Sequence, residues 1–440
     1  MPRSVQSNAF DFDEVYSSVL LPHFDDMQRL HPRRSNARHS VSQVCRAGFA
    51  IYSLKSPSLL DFRPKTAAEQ HNLKACFSID KLPSDNGLRD ILDVVDQVKM
   101  RQGLDRTVDY LDDQGVLDTY AIDEQGQVIF SVDGVKHFSS KKVHCQCCLT
   151  RKHRDGSTTY QHQLLAAALV KPGKSEVFVV DAEPIVQQDG EEKNDCERTA
   201  AKRLLDRMAE SHASRSVVYA LDALYGCGPI VRRITQLSDR WRYVINAKAD
   251  GHQYAFEQFN AANDAGRVNW KTFRRKGEKF VVGYVNDIGL NAANAEVKTN
   301  LVVAYVTNNK GQETTFCYLT NLGISQASVM LVISIGRSRW KVENEVFNTL
   351  KNQQYHFEHN FGHGKAHAAT NFAYLMLLAF NVDQLRQYGS KIFRSIWKGL
   401  KSKVATWDAL RTVFKMVKSE GVNDLCRKVL SIYELRAIRI

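Results

Sequence analysis

The amino-acid sequence predicts an α/β protein whose two ends are helical. Three observations lead there. Between residues 113 and 250, apolar runs of strand length such as 128–132 and 216–221 alternate with stretches of helical period, the pattern of a sheet with helices on its faces. Two of these runs end on a carboxylate followed by a turn, Asp133 and Asp222. From 251 to 322 the pattern is almost wholly β, whereas 1–112 and 389–440 carry helical spacing.

The elements follow in order. In 1–112, Phe10, Phe12, Val15, Val19 and Leu20 form one periodic apolar face, and Leu88, Ile91, Leu92, Val94, Val95 and Val98 another. Between them Arg33, Arg34, Arg38 and His39 make a basic loop that either meets phosphates or stands in solvent. Strands are expected at 119–122 and 128–132, the second ending at Asp133-Gly134. An Asp-Gly pair is often only a turn; at the end of a central apolar strand it also aims a carboxylate from a rigid scaffold. Strands at 164–170 and 177–180 follow, then a helix capped by Asn194 or Asp195 with Glu197 in its first turn. The strand 216–221 leads to Asp222, a Gly-Pro breaker at 226–229, a helix at 230–237 and a strand at 242–246.

Residues 251–322 read as an inserted antiparallel sheet, with strands at 279–285, 299–306 and 313–319 and a basic element carrying Arg274, Arg275 and Lys276. In 323–388 a long helix is expected, with Ser325 as N-cap and Val329, Ile333, Trp340, Val346, Phe347 and Leu350 on its apolar side. Arg339, Glu343, Phe347 and Lys351 recur on it every four residues, which sets a carboxylate between two cations. That stripe is either a solvated ladder or one wall of a site. A core helix at 366–387 follows. In 389–440, Lys391, Arg394, Lys398, Lys401 and Lys403 alternate with Ile392, Phe393, Ile396, Trp397 and Leu400. Such a basic amphipathic helix can clamp DNA, meet a second protomer or cover the core.

Composition narrows the function classes. With 440 residues the chain can bury a large core. Lys and Arg number 60 against 48 acidic residues, and the resulting +12 at pH 7 favours a polyanionic partner, nucleic acid before a membrane surface. No early apolar segment reads as a signal peptide and the run 372–380 is too short to span a bilayer, so a cytoplasmic, nucleoid-associated protein without a membrane partner is expected. Nine cysteines without paired spacing suit a reducing compartment. One pair, Cys145-x-x-Cys148 with His153 and His162 downstream, can supply a tetrahedral structural zinc set, but a single such pair is a weak signal and is set second here. His356, His359, His363 and His367 cannot share one helical face because Gly362 and Gly364 interrupt them, so they read as polar loop residues.

At this point particular motifs carry a resemblance. Residues 133–145 (DGVKHFSSKKVHC), 193–197 (KNDCE), 222–225 (DALY), 339–351 (RWKVENEVFNTLK) and 359–364 (HNFGHG) resemble bacterial insertion-sequence transposases of the DDE class, and within them the "insertion sequence four" group, over about residues 115–385. The resemblance implies a ribonuclease H-like catalytic core, a mixed sheet flanked by helices and interrupted by a β-rich insertion. It also implies Asp133, Asp222 and Glu343 as catalytic, metal-binding carboxylates for two Mg²⁺ or Mn²⁺ ions. Arg339, Lys351, Lys141, Lys142 and Trp340 would contact DNA. The partners would be double-stranded DNA, as element ends and target, and a second copy of the chain when DNA is bound. Two departures stand out: Gly336 occupies a place where many members carry Tyr, and Lys351 falls eight rather than seven residues after Glu343. The activity implied is cleavage at the ends of a mobile element and joining of the freed 3′-hydroxyl to target DNA. A metal-dependent nuclease of the same fold that does not join strands, and a non-catalytic DNA-binding derivative, remain open alternatives.

Overall fold

A computed structural model of the chain describes residues 10–30, 39–186 and 196–437. Arg33, Arg34 and Arg38 of the basic loop, and the expected caps Asn194 and Asp195, lie outside them. Ten strands make one mixed sheet: β1 (Val128–Ser140), β2 (Leu149–Lys152), β3 (Thr158–Val170), β4 (Phe178–Ile185), β5 (Val217–Leu221), β6 (Trp241–Asn246), β7 (Asn269–Arg275), β8 (Glu278–Gly289), β9 (Lys298–Thr307) and β10 (Glu313–Thr320). The spatial order is β2-β3-β1-β5-β6-β10-β9-β8-β7, with β4 paired to β3. β1, β5 and β6 run parallel, while β3 against β1, β4 against β3 and β10 against β6 are antiparallel. Every residue of β5 is buried, as a strand with neighbours on both edges and helices on its faces requires.

The β-rich stretch 251–322 continues this same sheet through the β6–β10 pairing, so its antiparallel strands are not a separate layer. A second difference concerns 119–122, where a strand was expected. The helix Val116–Tyr120 stands there, and buried Tyr120 donates its hydroxyl to the Glu176 carbonyl at 2.8 Å. Packing of that ring outweighs the weak β preference of a four-residue run.

The helix Ala368–Gly389 is buried on all sides, which explains why its sequence shows no polar face. Its N-terminus is held by Asp93, whose carboxylate accepts from the backbone N–H groups of Lys365, Ala366, His367 and Ala368 at 2.8 to 3.1 Å. Burial works against that charge, but the four donors prevail and hold the Asp93 carboxyl below its usual range. The polar residues of the same helix finish the sheet. Among the described residues β4 has no strand on its outer edge, and Asn381 takes that place: Val179 N–H donates to Asn381 Oδ1 and Asn381 Nδ2 donates to the Val179 carbonyl, both at 2.8 Å, while Val177 N–H donates to Gln384 Oε1. A side-chain amide thus closes an otherwise open sheet edge.

The two ends of the chain pack together. Asp13 accepts from the N–H groups of Val422 and Asn423 at the start of the helix Val422–Ile432, and Asn72 donates to the Phe414 and Val417 carbonyls. The basic helix Lys391–Leu400 buries Phe393 and Ile396 and leaves Lys391, Arg394 and Lys398 exposed, so its apolar face covers the core. At the junction Lys55 and Tyr355 both donate to Asp383 Oδ2, at 2.5 and 2.6 Å, and Arg386 reaches Oδ1 at 3.2 Å.

Replacing Asn381 by Leu fills a similar volume but orphans two backbone groups of β4. Urea unfolding is expected to show a loss of about 1–3 kcal/mol for each orphaned group, whereas the exposed Asp80→Ala, which breaks only a surface pair with Lys74, should leave the midpoint nearly unchanged.

Candidate carboxylate site

β1 does not end at Asp133 as the Asp-Gly pair suggested; it runs on to Ser140, with Asp133 opposite Ala166 of β3. What ends there is the pairing on its other edge. β5 accompanies β1 only from Val128 to Ser131, with Ser131 opposite Ala220. Continuing that register by two residues sets Asp222, just past the end of β5, beside Asp133. Two carboxylates therefore emerge where a parallel pair parts, on neighbouring strands.

Ser131 and Asp133 share a face of β1, since alternate residues point the same way, and both engage Arg339. The Ser131 hydroxyl donates to the Arg339 carbonyl at 2.8 Å, and Arg339 Nη1 donates to Asp133 Oδ2 at 2.9 Å. Arg339 is 4 % exposed, its guanidinium lies 4.1 Å from the Trp340 ring centroid, and Nη2 is 4.0 Å from Glu343 Oε2. Asp133 Oδ1 also accepts from the Gly134 N–H at 2.9 Å. Burial nevertheless wins over Arg339 and this N–H, and the Asp133 carboxyl stays above its usual range, with Glu197 adding to the rise.

The third carboxylate comes from the long helix. The N-cap of its first segment is Ser328 rather than the expected Ser325, which lies one turn earlier and accepts from Ser328 N–H at its hydroxyl and from Val329 N–H at its carbonyl. The rod runs as Val329–Ser338, then a π-helical turn Val342–Phe347, then Asn348–Asn352. A π turn takes in one extra residue, so the eight-residue step from Glu343 to Lys351 brings Lys351 round to where the seventh residue of a plain α-helix would stand. Arg339, Glu343, Phe347 and Lys351 all line one cavity of about 790 Å³ together with Asp133 and Asp222. Glu343 is half exposed in it. Gly336, the other departure, has a spatial cause: a Cβ there would lie 2.1 Å from Cε1 of Tyr318, a buried residue of β10. The Tyr318 ring fills the space that a side chain at 336 would need.

The remaining expected contacts divide. Trp340 lines the cavity and is half exposed, and Lys351 lines it while paired with Glu358 at 3.1 Å. Lys141 and Lys142 are exposed in the loop after β1 and do not line it. The cavity instead receives Lys136, from β1 itself, and Lys248 and Asn246 from the end of β6. Lys136 was within sight, three residues after Asp133; Lys248 carried no sequence signal. Glu197, read as a first-turn residue of the helix Glu197–His212, does more than that. It accepts the Tyr225 hydroxyl at 2.6 Å and packs so close to Gly134 that a Cβ there would meet its carboxylate at 2.8 Å. Among the described residues, Asp222 makes no hydrogen bond or ion pair through its carboxylate.

Cys145, Cys148 and His162 also come together, but the fourth member is His363, buried rather than a surface loop residue, and not His153. The His153 Nε2 is hydrogen-bonded to Thr159 Oγ1 at 2.7 Å.

No protein-family model matches the chain, and no curated protein matches it significantly. Among solved structures, a piggyBac transposase synaptic complex with hairpin DNA aligns over 98% of this chain and 82% of that one, at 10% identity and a TM-score of 0.42. A likeness of that size carries no argument about fold or function. Among the described residues no helix is long and apolar enough to cross a membrane.

Gly336→Ala tests the packing around the Glu343 helix. Because buried Tyr318 has no room to retreat, the added methyl is expected to lower stability by about 1–3 kcal/mol in thermal or urea unfolding.

Proposed function

We propose that the chain is a DNA transposase of the DDE class, with the strands around β1 and β5 as a ribonuclease H-like core, which cleaves at the ends of a mobile element and joins the freed 3′-hydroxyl to target DNA. The observation that carries this reading is the meeting of Asp133, Asp222 and Glu343, from two neighbouring strands and one helix, in one open cavity. The donor type suits Mg²⁺ or Mn²⁺, although among the described residues the three carboxylates line one cavity without already forming a close-set ligand group. Carboxylate oxygens are hard ligands, Asp222 makes no hydrogen bond or ion pair among the described residues, and burial holds the Asp133 carboxyl above its usual range despite Arg339. When bound, two such ions supply the positive charge that an in-line phosphoryl displacement needs at its attacking and leaving oxygens.

The chain's own residues do the rest. Asp133, Asp222 and Glu343 hold the cations, and Arg339 fixes Asp133 in one orientation through its 2.9 Å bond. Glu197 and Tyr225 brace the Asp133–Gly134 backbone from the other side. Lys136, Lys248 and Lys351 stand at the cavity wall, where flanking phosphates would lie, and the exposed face of Trp340 offers a base or sugar a flat apolar contact. The +12 net charge supplies affinity without sequence choice, and a DNA-bound pair of chains would bring two element ends together.

The test is an in vitro assay on duplex DNA that flanks the coding region. Divalent-cation-dependent cleavage followed by strand joining is expected, with Asp222→Asn losing about 10³-fold or more in rate and Asp123→Asn, whose carboxylate serves a turn, keeping it. Cleavage without joining would reduce the reading to a nuclease. DNA binding without cleavage would leave a DNA-binding derivative.

A further inference from the structure

We propose that Cys145, Cys148, His162 and His363 hold a structural zinc ion that ties the segment following the Glu343 helix to the strands bearing Asp133. The four ligand atoms lie within 4.8 Å of one another, three of the residues are buried, and they come from three separate places: the loop after β1, the strand β3 and the segment before the helix Ala368–Gly389.

Geometry separates this from a chance cluster. A tetrahedral ion with Zn–S near 2.3 Å and Zn–N near 2.05 Å sets S···S at about 3.8 Å and S···N at about 3.5 Å. Here the two Sγ atoms are 3.8 Å apart, His162 Nε2 is 3.4 and 3.5 Å from them, and His363 Nε2 is 3.2 Å from Cys148 Sγ. A disulfide would need about 2.05 Å between the sulfurs. Backbone hydrogen bonds shape the loop around the two thiols. Cys148 N–H donates to the Cys145 carbonyl, Cys145 N–H donates to Cys148 Sγ, and Gln146 N–H donates to the Lys365 carbonyl two residues past His363. That last bond registers the loop on the distant segment independently of any metal.

Two thiolates and two imidazoles select a borderline-soft cation over Mg²⁺. Four protein ligands close the coordination sphere, so the ion has a structural rather than a catalytic place. What it would stabilise is the turn at 353–367 that follows the Glu343 helix, and the continuation of β1 beyond Asp133. This site stands apart from the carboxylates and does not depend on the transposase reading.

The experiment is elemental analysis of the full chain purified without chelators, with thermal unfolding alongside. One zinc per chain is expected. Cys148→Ser and His363→Asn should each lose it and unfold at a lower temperature, while Cys147→Ser, His153→Asn and Asp222→Asn should retain it. Should the ligand variants fail to fold, the unaltered chain decides: Co²⁺ exchanged into it should give the absorption of a tetrahedral ion with thiolate charge-transfer bands. Less than about a tenth of a zinc per chain that does not rise on adding Zn²⁺, zinc retained by Cys148→Ser, or a Co²⁺ spectrum without thiolate bands would each overturn the proposal.

Discussion

The architecture of the site depends on Arg339. Its side chain reaches Asp133 on β1, lies 4.0 Å from Glu343 one helical turn on, and stacks on Trp340, while its carbonyl receives the Ser131 hydroxyl. A nearly buried guanidinium held at both ends leaves strand and helix little freedom to slide, which keeps carboxylates 210 residues apart in sequence at one cavity. Removing it would leave the half-buried Asp133 without its hydrogen-bonded counter-charge.

A second carboxylate cluster shows what a purely structural arrangement looks like in the same chain. Asp181 and Glu183 on β4 are met by Arg101, Arg203 and Arg207 at 2.6 to 3.0 Å, so cations match the buried charge. At the cavity the pairing is looser: Arg339 bonds Asp133 and lies 4.0 Å from Glu343, while Lys136, Lys248 and Lys351 line the wall. This contrast in pairing is the physical reason for reading one cluster as scaffold and proposing the other as a site.

The stripe on the Glu343 helix was legible because side chains four apart share a helix face, and Asp222 because an apolar strand ending on a carboxylate is a local pattern. The non-local features were not legible. Asp133-Gly134 looked like a turn, yet the glycine is there because Glu197 comes too close for a Cβ, and the strand runs through it. The odd spacing to Lys351 has a cause, the π turn, that composition does not reveal. Gly336 looked like a defect until Tyr318, from another strand, was found in the space. His363 read as a loop residue because its glycine neighbours rule out a helix, but its partner Cys148 lies 215 residues earlier. Except for the π turn, which lies within one helix, the deciding contact in each case joins segments that no sequence window contains together.

The central claim, that Asp133, Asp222 and Glu343 jointly hold divalent cations, is tested most directly by anomalous diffraction at the manganese edge from crystals of the protein with a DNA duplex, soaked in Mn²⁺. The account predicts two peaks about 3.5–4 Å apart among those three carboxylates, both lost in Glu343→Gln crystals of the same form. Fully occupied DNA with no manganese at the carboxylates, or peaks unchanged by Glu343→Gln, would contradict it.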